Sequence, residues 1–368
     1  MKIVLDDLLL TKDMPTTAGS RMLAGYRSLF DAEVIARLQA AGHTVAGKAA
    51  VGEFGFDLLG ETSADGALIA NGALQNAAAE QVKAGEADAA ICMDVNGYPR
   101  RAAAQSGLIS LKPTYGTVSR FGTVPVACSG ETVSILAASV ADCREVLSAV
   151  VGHDDKDGTS LPASDCDRVL QGADTVRKVA VLDVFGGDLS KAEQILTENG
   201  VDVCHVDGKI FAAARAAWNI LMSAELCNNV SRYDGVKYGY RAQNFTGIDE
   251  LYTNSRTEAF GDLLKTVILF GSETLSTDNY MKVYDKALRV RRVIKEAFEA
   301  LFAEYDAVLL PAVSAMTYAP DTVDPFVENG YTAPASITGL PAVVAGGVQV
   351  IGNAFSENVL LHIAQLLS

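Results

Sequence analysis

Apolar runs of four to six residues alternate along this chain with longer segments of helical spacing. Ile3-Val4-Leu5 is a short apolar run closed by Asp6 and Asp7, and Ala32 to Ala41 places Val34, Ile35, Leu38 and Ala41 on one helical face. Val45 to Val51 and Ala87 to Met93 read as buried strands, and the Ala-rich stretch Ala73 to Ala84 reads as a helix. Residues 107 to 122 are rich in Gly, Ser and Thr; the spacing beyond them predicts an amphipathic helix over Thr132 to Val151. Lys178 to Leu182 is a further strand, with a helix after it from Leu189 to Asn199. Charged helical segments fill about 208 to 305, and Ala307 to Leu310 returns to strand. The alternation predicts an α/β fold, a mixed central sheet covered on both faces by helices, with strands from both ends of the chain in one sheet. No repeat, linker or low-complexity segment divides residues 1–368, so the expectation is a single domain with a helical excursion.

Composition narrows the class. In 368 residues, 49% are apolar, enough for a large core. The formal charge of -15 argues against a broad phosphate-binding face, so any nucleic acid would be held indirectly, through another protein chain. The six cysteines show no CxxC spacing, as expected of reduced thiols rather than disulfides or a metal site, and no cofactor motif is present. Two acids interrupt MKIVLDDLLL where a signal peptide needs its apolar stretch, and no later run spans a bilayer. The expectation is a cytoplasmic protein with no membrane partner.

Gly107-Leu-Ile-Ser-Leu-Lys-Pro-Thr-Tyr-Gly116-Thr-Val-Ser-Arg-Phe-Gly122 resembles the GLKPTYG-RVSRYG run of the amidase-signature family. Ser231 to Arg241, Ser255 to Gly261, Gly152 to Asp157, Thr338 to Ala342 and Gly347 to Gly352 agree further, and resemble the branch formed by the A subunits of tRNA-dependent amidotransferases. The resemblance spans essentially the whole chain. It implies the amidase-signature fold, and for active members a serine nucleophile whose proton passes through a second serine to a lysine, because a hydroxyl is a weak nucleophile without an adjacent base.

Carried over position by position, that machinery is missing. Thr11-Lys12 and Thr16-Thr17 fit the family's TKG...TT pattern and put its lysine at Asp6. Counting back from Gly107 puts the nucleophile at Tyr98, in Cys92-Met-Asp-Val-Asn-Gly-Tyr-Pro-Arg100, where Asp94, Gly97 and Arg100 keep the pattern. Counting on to Gly85 puts the bridging serine at Leu74, and Ser63 is the sole serine between residues 54 and 80. A loop before the Gly-Ser segment, the N-terminal helical region and a hairpin near Ala345 are also missing relative to the family. The turn Val95-Asn96-Gly97 keeps one glycine and reads as a plain strand-to-helix turn rather than an oxyanion hole. Cys92 reads as a buried structural thiol, and the four histidines fall outside the pocket. Tyr98 beside Asp6 could form a hydrogen-bonded pair filling the space of the old triad, as packing and not catalysis.

Four residues remain as pocket candidates: Asp94; Arg291, which could pair a carboxylate or simply form a surface salt bridge; Asn329, beside Glu328, near the family's acidic substrate contact; and Tyr240, in an aromatic segment where packing serves equally well. The resemblance with its lost triad implies a catalytically inactive paralogue with a binding or scaffold role in a complex. Its partners would be amidotransferase B/C-like subunits, a true A subunit, another enzyme or a second copy of itself. A glutamine amidohydrolase subunit with a rebuilt site and a small-molecule binder using the old pocket are the alternatives.

Overall fold

The computed structural model describes residues 1–172 and 175–368. Among them are twelve strands: β1 (Lys2–Asp6), β2 (Thr44–Ala49), β3 (Leu68–Ala70), β4 (Ala73–Gln75), β5 (Ala89–Asp94), β6 (Ile109–Lys112), β7 (Thr132–Ala137), β8 (Lys178–Leu182), β9 (Asp202–Val206), β10 (Ala307–Pro311), β11 (Ala342–Ala345) and β12 (Val348–Gly352). All but β3 and β4 form one ten-stranded sheet in the order β2-β1-β5-β7-β6-β11-β12-β10-β8-β9. The flanks are parallel: β1 runs with β2 and β5, and β8 with β9 and β10. The middle, from β5 through β7, β6, β11 and β12 to β10, is antiparallel. The sheet is therefore mixed, and helices flank it, as the alternation predicted.

Burial explains the strand composition. Every residue of β5, β7, β10, β11 and β12 is buried, so these strands read as continuous apolar runs without alternation. A large hydrophobic cluster includes Ile91, Ile135, Leu309, Val343 and Ile351, and a smaller one holds Val4, Leu74, Cys92, Tyr98 and Tyr318.

Two predicted helices begin later than their apolar spacing suggested. Thr132 to Ala137 is strand β7, and the helix starts only at Val140, with Ser139 as its N-cap accepting from the Asp142 N–H. A fully buried strand and a buried helix face present the same apolar density, and the Ser-x-x-Asp signal was the local clue to the boundary. Likewise Ala73–Gln75 is strand, and the helix runs Ala77–Lys83 behind an Asn76 cap. Near Ala345 the chain reverses from β11 to β12 in the two-residue turn Gly346-Gly347 (φ 58° and 83°), a geometry that needs residues tolerant of positive φ. The helices Ala213–Val230, Ile248–Ala259, Asp262–Thr274 and Asp285–Phe302 make up the excursion, and the first packs on the third and fourth.

Candidate functional site

Parallel pairing of β1 with β5 brings Asp6, at the end of one, beside the end of the other. The Asp6 carboxyl is wholly buried; Oδ2 accepts from the Met93 N–H at 2.9 Å and Oδ1 has no partner. Burial, far more than the nearby Asp7, pushes its pKa up to about 8. At neutral pH this position carries a protonated acid, which cannot accept a proton from a nucleophile.

Gly97 follows with φ 82°, and the helix Tyr98–Ser106 starts with Pro99 in its first turn. A Cβ on Gly97 would fall 2.4 Å from Thr332, so the close approach demands glycine independently of any catalytic turn. Tyr98 is 2% exposed and its hydroxyl has no hydrogen-bond partner, so the expected pair with Asp6 does not form; Asp6 is turned to the Met93 amide instead. Leu74 donates its backbone N–H to the Tyr318 carbonyl at 2.7 Å and packs in the same cluster as Tyr98 and Cys92. The three positions matched to the family's triad are thus a neutral acid and two core side chains. Burial, and secondarily Asp6, raises the pKa of the Cys92 thiol, so it stays protonated and poorly nucleophilic. His43, His153 and His205 are engaged elsewhere, with the N-terminal amine, with Leu161 and Asp155, and with Asp183 and Glu193.

The turn after β5 faces side chains rather than open space. Asn96 Oδ1 accepts from the Trp218 indole N–H and from Asn329 Nδ2, each at 3.1 Å, and Asn96 Nδ2 donates to the Phe56 carbonyl at 2.9 Å. Asn329 also donates to Asn219, whose own amide donates to the Phe326 carbonyl. Trp218, 2% exposed, lies so close to Gly130 that a Cβ there would sit 2.1 Å from its ring. Gly130→Ala should therefore lower stability by about 1–3 kcal/mol, the usual cost of overpacking. Chemical denaturation with Trp218 fluorescence as probe will measure it, and an unchanged midpoint would contradict this packing.

Asp94 and Arg100, both at 0% exposure, form a two-pronged ion pair at 2.7 and 2.9 Å. The guanidinium also donates to the Thr332 carbonyl, Gln349 Oε1 and Ser336 Oγ, so its hydrogen bonds all stay within the protein. Asp94 and Asn329 are joined through Thr332, which lies against both Arg100 and Asn96. The other two candidates lie apart. Arg291 donates to Ser129 Oγ and O at 3.1 and 3.0 Å and lines a cavity of about 340 Å³ with Tyr115, Leu161 and Phe298. Tyr240 donates to Glu258, which borders a different cavity of about 300 Å³ beside Arg21 and Glu53.

Sequence reasoning did not single out Trp218, Asn219 or Lys112. Trp218 is the only tryptophan, and that was the available signal. Lys112 is wholly buried, with Nζ donating to the Leu340 carbonyl at 2.9 Å, and burial brings its pKa down to about 7. Among the described residues no cluster of His, Cys, Asp and Glu could hold a metal ion, and no helix is long and apolar enough to cross a membrane.

The profile of the family described as Amidase matches residues 1–71 and 76–361. The A subunit of glutamyl-tRNA(Gln) amidotransferase from Lachnospira eligens is 34% identical over 391 residues, covering 97% of this chain and 81% of the relative. The protein of the same name from Streptococcus pneumoniae is 32% identical, covering 98% and 81%. The crystal structure of the A subunit of glutamyl-tRNA(Gln) amidotransferase from Thermotoga maritima superposes with a TM-score of 0.80 at 26% identity, covering all of this chain and 82% of that one. The Kluyveromyces lactis urea amidolyase shares the fold at a TM-score of 0.82 and 22% identity, with 23% of that chain covered.

Proposed function

The chain belongs to the amidase family, and from that premise we propose that it hydrolyses no amide and serves as a paralogue of the amidotransferase A subunit with a binding or scaffold role. The observation that carries this reading is the neutral, buried Asp6 where the resemblance places the family's lysine base, together with a core leucine and a core tyrosine at the positions of the two serines. Serine chemistry needs an aliphatic hydroxyl and an acceptor for its proton in one place, and these positions hold only a buried phenol without a partner and a protonated acid. A thiol replacement finds no support, because Cys92 is held neutral.

The same residues weigh against a small-molecule role for the old pocket. Trp218 and Asn329, the latter bonded in turn to Asn219, converge on Asn96 and lie in front of the turn. A scaffold needs only surface, and the helical excursion offers apolar surface: Leu269 is 71% and Met281 63% exposed, with Phe270, Tyr280 and Val293 also open. Exposed apolar groups of this kind are available for a protein contact where they lie together. By the names of its relatives, the partner would be an amidotransferase chain of the B or C type, or a true A subunit, in the cytoplasm, with any tRNA held by that partner.

Ammonia release from glutamine and asparagine tests the first half, with the purified chain alone and mixed with B and C subunits. No release above the protein-free blank is expected. Release that a Cys92→Ala change abolishes would establish a rebuilt active site and overturn the reading. Co-elution with a B, C or A subunit in size-exclusion chromatography is the expected sign of assembly, and separate elution from all three would remove the proposed partners.

A further inference from the structure

A positively charged helix face stands out in this acidic chain. Residues 282 to 295 hold six cations against one acid, Asp285, where the chain as a whole has 45 acids and 30 bases. In the helix Asp285–Phe302, Ala287, Ile294 and Phe298 turn to the core. Lys286, Arg289, Val290 and Val293, at the i, i+3, i+4, i+7 spacing of a single face, line a cleft of about 350 Å³ instead. The cleft is closed on its other side by Ile210, in the helical turn Lys209–Ala212, and by Ala213, which begins the helix Ala213–Val230.

The lining divides into an apolar floor and a charged rim. Ile210, Ala213, Val290 and Val293 present only aliphatic surface, and Ile210 is 40% and Val293 46% exposed. Apolar side chains left open together are what a partner's apolar side chains would cover. At the rim, Lys286 makes no ion pair or hydrogen bond with any described residue. Arg289 is held by Asp285 at 2.8 Å with its side chain 70% exposed, and an exposed pair of this spacing is weak enough to be exchanged for a partner's carboxylate. The other cations of the helix are engaged away from the cleft: Arg291 with Ser129, Arg292 with Glu296 and Lys295 with Glu299. Lys209, next to Ile210, is paired with Asp207. The unspent positive charge therefore borders the apolar floor.

Two further features select the occupant. Every lining residue belongs to a helical segment, so no open strand edge is offered and an extended peptide finds no backbone to pair with. The lining holds no aromatic ring on which a nucleic-acid base would stack. We propose that this cleft docks an acidic amphipathic helix of a partner chain, with aliphatic side chains spaced i, i+3 and i+7 on the floor and flanking Asp or Glu residues bonded to Lys286 and Arg289. Helix-in-groove recognition works through such anchors, and the rim charges orient the partner and select against basic helices. The proposal rests on the scaffold reading for a partner to exist; its test reads peptide binding rather than ammonia release, so the two fail separately.

Fluorescence-anisotropy titration of the full chain tests it with a labelled helical peptide of about 18 residues, long enough to hold a helix. The peptide carries leucine at the anchor spacing and glutamate on both flanks, and is compared with the same peptide bearing lysine for glutamate. Saturable binding of the glutamate peptide alone is expected, weakening severalfold as salt rises from about 50 to about 300 mM. Lys286→Ala with Arg289→Ala, both at exposed positions, should weaken it more than tenfold, and Val293→Ser severalfold. Arg292→Ala, on the same helix but outside the cleft, should change it less than twofold. Equal binding of the lysine peptide, no saturation, an equal loss in Arg292→Ala, or full binding by the double variant would each overturn the assignment. So would a wild-type dimer that the double variant dissolves, which would make a second copy the occupant, or a preference for phosphatidylglycerol vesicles or single-stranded RNA over the peptide.

Discussion

Asp94→Ala should lower the stability of this protein by about 3–5 kcal/mol, the cost of leaving a buried charge without its partner. Arg100 cannot turn to water: it is at 0% exposure, and its other bonds run to Thr332, Ser336 and Gln349 in fixed positions. Against a total stability on the order of 5–15 kcal/mol, such a loss is large. Urea unfolding of the wild type and variant at one pH measures it. A double replacement, Asp94→Leu with Arg100→Met, should recover part of the loss, since it removes the orphan charge but leaves Gln349 Oε1 without its donor. A loss below about 1 kcal/mol for Asp94→Ala would mean that the wall relaxes or admits water. The experiment also decides what Asp94 is for. A ligand-binding carboxylate commonly costs stability and is improved by removal, whereas one that anchors Arg100 of the following helix to the end of β5 is needed for the fold.

The second large effect is a pH dependence with its source at Asp6. The folded pKa, about 8, lies above the ordinary carboxyl value of about 3.9. Below about pH 4 both folded and unfolded states hold the proton, and the contribution to stability is fully present. Between about pH 4 and 8 only the folded state keeps it, so stability falls by about 1.4 kcal/mol for each unit of rising pH, and levels off above the folded pKa. Asp57, raised by burial and by Glu61, acts in the same direction. Lys112 acts oppositely and in another window: with its folded pKa lowered to about 7, it costs stability as pH falls from about 10 to 7 and adds nothing further below. Between pH 4.5 and 7 the acids therefore dominate this set. Asp6→Asn keeps an oxygen for the Met93 N–H and cannot ionise. Its stability relative to wild type should rise by about 1.4 kcal/mol per pH unit across that window. Parallel unfolding curves for the two proteins, with a constant difference at every pH, would show Asp6 ionised in the folded state, and the absence of a base there would need another argument.

The site was legible in the sequence in part. Asp6 was placed from Thr11-Lys12 and Thr16-Thr17, Leu74 by counting to Gly85 and Tyr98 by counting from Gly107, because the segments between them and the motifs are short. The expected Tyr98–Asp6 pair was not, since the direction of a buried carboxyl depends on which backbone N–H lies nearest, here that of Met93. The four pocket candidates illustrate the same limit. Asp94 reaches Thr332 through Arg100 and Asn329 reaches it directly, whereas Arg291 lines one cavity and Tyr240 bonds Glu258 at the edge of another. Sequence spacing held no measure of those separations.

What the sequence by itself determined is everything set by local pattern: the apolar runs of β1, β5, β8 and β10, the helices after β1 and β8, the turn glycines, and the motif from Gly107 to Gly122 that carries the family. What only the tertiary structure decided are contacts between residues far apart along the chain. Trp218 meets Asn96 across 122 positions, Asn329 meets Asn96 across 233, and Arg100 meets Gln349 across 249. The strand at Thr132 belongs with these. Its apolar spacing suits a helix, and pairing with β5 on one side and β6 on the other makes it a strand. Local periodicity reports how much of a segment is buried, but which backbone its hydrogen bonds go to is settled only when the neighbouring strands arrive.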